Sequence, residues 1–170
     1  MKNILIVGGA GYIGRQIINI LKKNKFYKIL VLDNLSVTKK NLLSKNIKFS
    51  KLDITNKKKL KDYFKKNKID YVIHLAAKCI VSESERYKKK YYKNNVIGTK
   101  NLVNCCINNK IENFIFSSSC TIFSDQSKIV NENSPKKPKN YYGKTKLICE
   151  NLIRKKFKNT KIKFIILRYF

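Results

Sequence analysis

The sequence predicts an α/β fold, a doubly wound parallel sheet with helices on both faces. Three observations predict it. Short strand-like apolar runs alternate with helix-period segments along the whole chain. Most of those runs are nearly continuous in apolar residues, as strands covered on both faces are. The first of them leads straight into a glycine-rich turn that opens a helix. At 170 residues the chain is long enough for one domain, 1–170, with a sizeable core, and too short for two separate cores.

The first run, Ile4-Leu5-Ile6-Val7, reaches glycines at positions 8, 11 and 14, and apolar residues then recur at helical spacing: Ile13, Ile17, Ile18, Ile20 and Leu21. This reads as strand, tight turn and helix, the helix over about 12–24. Gly8 permits the turn, Gly11 lets the backbone approach a ligand, and Gly14 lets helix and strand pack closely. The helix start then offers unpaired N–H groups to a pyrophosphate. Lys28 to Asp33 is the second strand. Asp33, nineteen residues past Gly14, can accept hydrogen bonds from both hydroxyls of an adenosine ribose and would repel a 2′-phosphate, which favours NAD over NADP.

The segment 47–54 alternates and reads as a third strand near the sheet edge. Lys57 to Lys66 is the next helix, and Tyr71 to Ala77 the fourth strand, in which His74 is read as a packed residue and not as a catalyst. A long helix from Glu85 or Lys89 to Asn108 carries Asn94 and Asn95 at interior positions. Asparagine is unfavourable there, so a hydrogen-bonding role is expected for at least one of them. Asn113 to Ser119 is the fifth strand, whose three terminal serines face the ligand crevice that parallel sheets form at their carboxyl ends. After Pro135 and Pro138 a helix begins with Tyr142 and Lys146 four residues apart on one face. A tyrosine needs about three pKa units of help to act as a base near neutrality, and a neighbouring ammonium supplies part of it.

Composition narrows the function classes. The net charge of +29 comes from lysines scattered through helices and loops, with four arginines. Lys, Asn, Ile, Tyr and Phe share A/T-rich codons, so no specific nucleic-acid partner is expected, only nonspecific attraction to polyanions at low salt. No run of eighteen apolar residues and no signal-like start occur, so a cytoplasmic protein off the membrane is expected. The five cysteines and His74 show no zinc spacing, so no metal is expected and the thiols are read as reduced and mostly buried.

The motifs taken together resemble the extended short-chain dehydrogenase/reductase superfamily. They are Gly8-x-x-Gly11-x-x-Gly14, Asp33-Asn34-Leu35-Ser36, Asp53-Ile54, His74-Leu75-Ala76-Ala77, Tyr91 to Thr99, Ser117-Ser118-Ser119 and Tyr142-x-x-x-Lys146. The likeness spans the chain and makes the sheet a Rossmann fold. Phe114 to Phe123, with Asp125-Gln126, is similar to the epimerase branch that interconverts UDP-glucose and UDP-galactose. Ser119-Cys120-Thr121 lacks the carboxylates of related dehydratases.

The resemblance implies NAD as cofactor and a nucleotide sugar as substrate. It places Tyr12 and Ile13 at the pyrophosphate, Asp33, Asn34, Leu35 and Ser36 at the adenosine ribose, and Asp53 and Ile54 at the adenine. Leu75, Ala76, Ala77, Lys78 and Cys79 would flank the ribose and phosphates, Asn94 would bond the cofactor, and Phe170 would close the nicotinamide side. Ser119, Tyr142 and Lys146 form the implied catalytic set, with Lys146 lowering the pKa of Tyr142.

Departures from the pattern are Cys120 for alanine, Phe123-Ser124 for Tyr-Gly, and Lys78 where a lysine is expected near 79. The family continues beyond the counterpart of Phe170 into a substrate domain. The chain is therefore expected to be a truncated or split epimerase, or the cofactor half of a longer one, with any partner half supplied separately. A catalytically silent NAD-binding or interaction protein, or an epimerase acting on a related nucleotide sugar, is the alternative. Exposed apolar surface on the sixth strand, which ends at Phe170, and a homodimer through the helices near 89–108 and 140–157 are further expectations.

Overall fold

A computed structural model describes residues 1–38, 43–44, 46–123 and 129–170. Asp125, Gln126 and Ser124, singled out above, lie outside the described residues. The element order is β1 (Lys2–Val7), α1 (Tyr12–Leu21), β2 (Tyr27–Asp33), β3 (Lys48–Lys51), α2 (Lys57–Lys66), β4 (Tyr71–His74), α3 (Val81–Arg86), α4 (Lys88–Tyr91), a π-helical turn (Tyr92–Ile97), α5 (Gly98–Asn108), β5 (Asn113–Ser119), a 3-10 turn (Cys120–Ile122), α6 (Tyr141–Phe157) and β6 (Lys163–Tyr169).

Among the described residues the strands form one six-stranded sheet in the order β3-β2-β1-β4-β5-β6, and every pairing is parallel. The order reverses beside β1, whose neighbours are β2 and β4, and such a reversal opens a crevice at the carboxyl ends of the strands. Apolar residues fill both faces of the central strands. Leu5, Val7, Leu30, Leu32, Val72 and Phe114 face the larger core with residues of α2, α5 and α6. Ile4, Ile6, Ile29 and Val31 face a smaller one with Ile18 of α1. Asn56 caps α2 by accepting the Lys59 N–H at 3.0 Å, and Asn140 caps α6 by accepting that of Gly143 at 2.7 Å.

Two expectations are corrected. The fourth strand ends at His74, three residues early, because the Leu75 and Ala76 N–H groups both turn to the Val7 carbonyl at 2.8 and 3.0 Å. The chain then leaves the sheet and forms the wall of a cleft. The single long helix is instead four successive helical pieces beginning at Val81, with the π-helical turn holding both asparagines. Such turns are frequent at functional sites. The expected exposed apolar surface is present on β6, where Ile165, Leu167 and Tyr169 are open to solvent on one face. Among the described residues no helix is long and apolar enough to cross a membrane.

Candidate functional site

A cleft opens at the carboxyl ends of β1, β2 and β4, and most of the expected cofactor residues line it: Gly8, Gly11, Tyr12, Ile13, Gly14, Asp33, Asn34, Ser36, Ile54, Leu75, Ala76, Ala77, Cys79 and Asn94. Val37, Thr38 and Leu52 line it as well, and nothing in their residue types marked them in the sequence.

At the glycine turn the geometry admits no side chain. Gly8 has φ +84°, and a Cβ there would lie 2.6 Å from the Ala76 nitrogen. A Cβ at Gly14 would meet Gly9 Cα at 2.5 Å, so α1 rides directly on the turn. The α1 start has Gly11 as its N-cap, no side-chain cap and no acidic residue in its first turn. Its leading N–H groups are therefore free of internal competitors and suit an anion.

Asp33 is tied into this turn. One carboxylate oxygen accepts the Ala10 N–H at 3.1 Å and the other the Leu35 N–H at 2.8 Å. Each oxygen keeps a second acceptor site, so the carboxylate still suits a pair of ribose hydroxyls. Leu35 has φ +57° and its side chain is not part of the cleft wall, unlike those of its neighbours Asn34 and Ser36. Asn34 donates to Asp53 at 3.0 Å, and Asp53 also accepts the Thr55 N–H at 2.8 Å. Burial pushes the Asp53 carboxyl up, but the hydrogen bonds from Thr55 and Asn34 outweigh it and hold the group below the usual carboxylate range. Asp53 thus braces the loop from behind the cleft wall.

The other end of the site is built from buried polar side chains. Lys146 is 3% exposed, and its Nζ donates to the Ser117 carbonyl at 2.7 Å, lies 4.9 Å from the Phe116 ring centre and 5.7 Å from that of Tyr142. Burial pulls its ammonium down to about 8. Ser119 Oγ accepts from the Thr121 N–H at 3.2 Å and the Thr121 hydroxyl at 3.0 Å. The Tyr142 phenol is pushed up to about 12, first by burial and then by the Cys79 thiol, while a hydrogen bond with Ser119 pulls it down. The phenol is therefore raised where a lowering by Lys146 was expected, because burial is the largest cause of its shift.

Ser119, Tyr142 and Lys146 do not line the cleft themselves; the wall runs through Cys79 into α3, whose Ser84 hydroxyl accepts the Tyr142 N–H at 3.0 Å. Lys78 is held by its backbone, its N–H donating to Asn95 Oδ1 at 2.8 Å and its carbonyl accepting from Asn95 Nδ2 at 3.0 Å. Phe170 follows β6, is 89% exposed and is not part of the cleft wall.

Among the neighbours of the site, Ser84 and Glu150 escaped the sequence reading, while Asn95 is one of the two asparagines expected to hydrogen-bond. Asn95, buried beside cleft-lining Asn94, also donates to Thr145 Oγ1 at 3.1 Å and so pins the cleft wall to α6. Ser84 accepts the Tyr142 N–H. Glu150, four residues past Lys146, accepts from Ser118 Oγ at 2.6 Å and from Arg168 at 3.0 and 2.8 Å. The helical spacing could have flagged Glu150, but not its partners. His74 is the packed residue expected: it is 1% exposed, its Nε2 lies 2.8 Å from Thr99 Oγ1, and burial pulls its imidazole down to about 3.

Known proteins are similar to this chain in sequence and fold. The chain is 39% identical over 183 residues to the bifunctional protein GAL10 of Pachysolen tannophilus, covering 100% of this chain and 26% of that one. Its structure matches that of the UDP-Glc/GlcNAc 4-epimerase from Campylobacter jejuni with a TM-score of 0.92 and 37% identity, over 100% of this chain and 54% of the other. The UDP-glucose 4-epimerase from Brucella ovis, solved in complex with NAD, matches with a TM-score of 0.90 and 36% identity, over 100% and 52%. The chain spans about half the length of those solved relatives, and a quarter of the bifunctional one. The profile of the NAD dependent epimerase/dehydratase family matches residues 4–170, and the chain belongs to that family.

Proposed function

We propose that the chain binds NAD in the cleft at the glycine turn and carries the catalytic set of a nucleotide-sugar 4-epimerase, acting on UDP-glucose and UDP-galactose. The observation that carries this reading is the placement of Ser119 at the carboxyl end of β5 beside Lys146, whose Nζ donates to the Ser117 carbonyl and lies 5.7 Å from the Tyr142 ring centre. The backbone-lined turn, the uncapped α1 start and the Asp33 carboxylate match in turn a pyrophosphate and a ribose. The NAD-bound Brucella relative supports the same cofactor.

Bound NAD would supply a reversible hydride acceptor and positive charge. Tyr142 takes the proton from the sugar 4-hydroxyl and returns it after the 4-keto sugar has turned over. Ser119 Oγ would hold that oxygen, and Lys146 would hold the nicotinamide ribose and add positive charge near the phenol. Since the Lys146 ammonium is held near 8, its charge is present below that pH and lost as pH rises through it, so turnover is expected to decline above pH 8.

Tyr142→Phe is expected to abolish interconversion of UDP-glucose and UDP-galactose while NAD affinity stays within a few-fold of wild type. Unchanged turnover in that variant refutes the assignment. A second reading, NAD binding without turnover, is favoured by the elevated phenol and by the half-length match. Purified chain that binds NAD and leaves both UDP-sugars unchanged supports it.

A further inference from the structure

Between the cleft and the helix that bears Tyr142 lies α3, an element whose side chains the catalytic scheme does not use. Ser84 is fully buried, at 0% exposed. Its hydroxyl donates to the Val81 carbonyl at 2.6 Å and accepts the Tyr142 N–H at 3.0 Å. Glu85 Oε1 accepts the Tyr141 N–H at 2.6 Å. With Asn140 taking the Gly143 N–H, three successive donors of the first α6 turn are satisfied, two of them by side chains of α3. A helix start is commonly capped by the residue just before it; here partners 56 and 58 residues upstream do that work. The same turn is pressed from the other side, since a Cβ at Gly143 would lie 2.4 Å from the Thr121 carbonyl oxygen, beyond Ser119.

At its other end α3 grows directly out of the cleft wall. Leu75, Ala76, Ala77 and Cys79 line the cleft, and Ile80 is the N-cap of α3. The buried Tyr91 hydroxyl lies 2.8 Å from both the Ile80 carbonyl and Glu83 Oε2, which locks that junction to the helix behind it. Asn95 holds the Lys78 backbone through both its N–H and its carbonyl. The segment from the cleft to α6 is therefore a short strut fixed at both ends, with no slack residue between Ile80 and Glu85.

We infer that Ser84 and Glu85 are positioning residues for Tyr142, carrying the position of the cleft wall at residues 75–79 to the first turn of α6. A dinucleotide settling against that wall tightens the turn that holds the phenol. The inference rests on the proposal that the cleft binds NAD.

Amide hydrogen exchange of the full chain, with and without NAD, tests it. In the wild type NAD slows exchange at residues 75–80 and also at 141–143. In Ser84→Ala, NAD still slows 75–80, while the Tyr142 amide exchanges about tenfold faster than in wild type and no longer responds to NAD. Glu85 is exposed, so its variants fold; Glu85→Gln keeps an acceptor oxygen and behaves as wild type, whereas Glu85→Ala releases Tyr141. Slowing at 75–80 without slowing at 141–143 in the wild type, or an NAD response at 141–143 that survives Ser84→Ala, overturns the inference and leaves NAD binding standing. No slowing at 75–80 in the wild type overturns the NAD reading, and the inference with it.

Discussion

The two ends of the site are made of different materials. At the glycine turn the wall is backbone and apolar side chains, among them Tyr12, Ile13, Leu32 and Leu75, and the Asp33 carboxylate that lines it holds main-chain N–H groups. At the β5 to α6 end the same jobs fall to buried charges. Lys146 is tied to Ser117, and Glu150 is clamped between Ser118 and Arg168, whose side chain is 6% exposed and which also reaches Glu132 at 2.6 Å. A backbone wall gives shape at little electrostatic cost, whereas buried ions hold only while every partner is present. The first end is built for recognition and is tolerant of charge changes around it. The second is built for chemistry and depends on a complete network.

Perturbing that network should produce the largest effect. Glu150→Ala leaves the Arg168 guanidinium buried without its carboxylate and is expected to cost about 3–5 kcal/mol in urea unfolding. A loss under about 1 kcal/mol would show that the two ends are less different than they look. On the recognition side, Gly8→Ala forces a Cβ toward the Ala76 nitrogen at φ +84° and is expected to cost about 1–3 kcal/mol, with NAD affinity falling more steeply than stability. The effect that is smallest near neutrality is graded by pH. His74 has its imidazole held at about 3 in the folded protein against an ordinary 6.5, so the unfolded chain takes up this proton first as pH falls. Its contribution to stability is therefore full above about pH 6.5 and lost toward pH 3, with a slope of at most about 1.4 kcal/mol per pH unit. His74→Gln should flatten the acid limb of the stability curve by that slope.

The contrast between the ends also explains what could be read in advance. The glycine turn was legible because its requirement is local: the chain must turn, approach a ligand and start a helix within a few residues. All six strands were legible from their apolar runs, although β3 is shorter than expected and β4 stops where Leu75 and Ala76 bend back to Val7. Tyr142 and Lys146 were expected on one helical face from their spacing, and their catalytic role was expected from the resemblance. Glu150 with Arg168, and Ser84 with Tyr142, were not, since each pairs residues 18 and 58 apart in sequence through tertiary packing. The π-helical turn left only the trace of two asparagines at unfavourable positions. The direction of the Tyr142 shift was misread because proximity to Lys146 was weighed and desolvation was not.

Whether the two ends serve one ligand is settled most directly by titrating NAD calorimetrically into the wild-type chain and into Lys146→Met. Saturable binding in the wild type, weakened about tenfold or more in the variant by loss of a charged hydrogen-bond donor to the ribose, is the predicted result. Equal affinity in the two proteins, or no heat of binding in either, contradicts it.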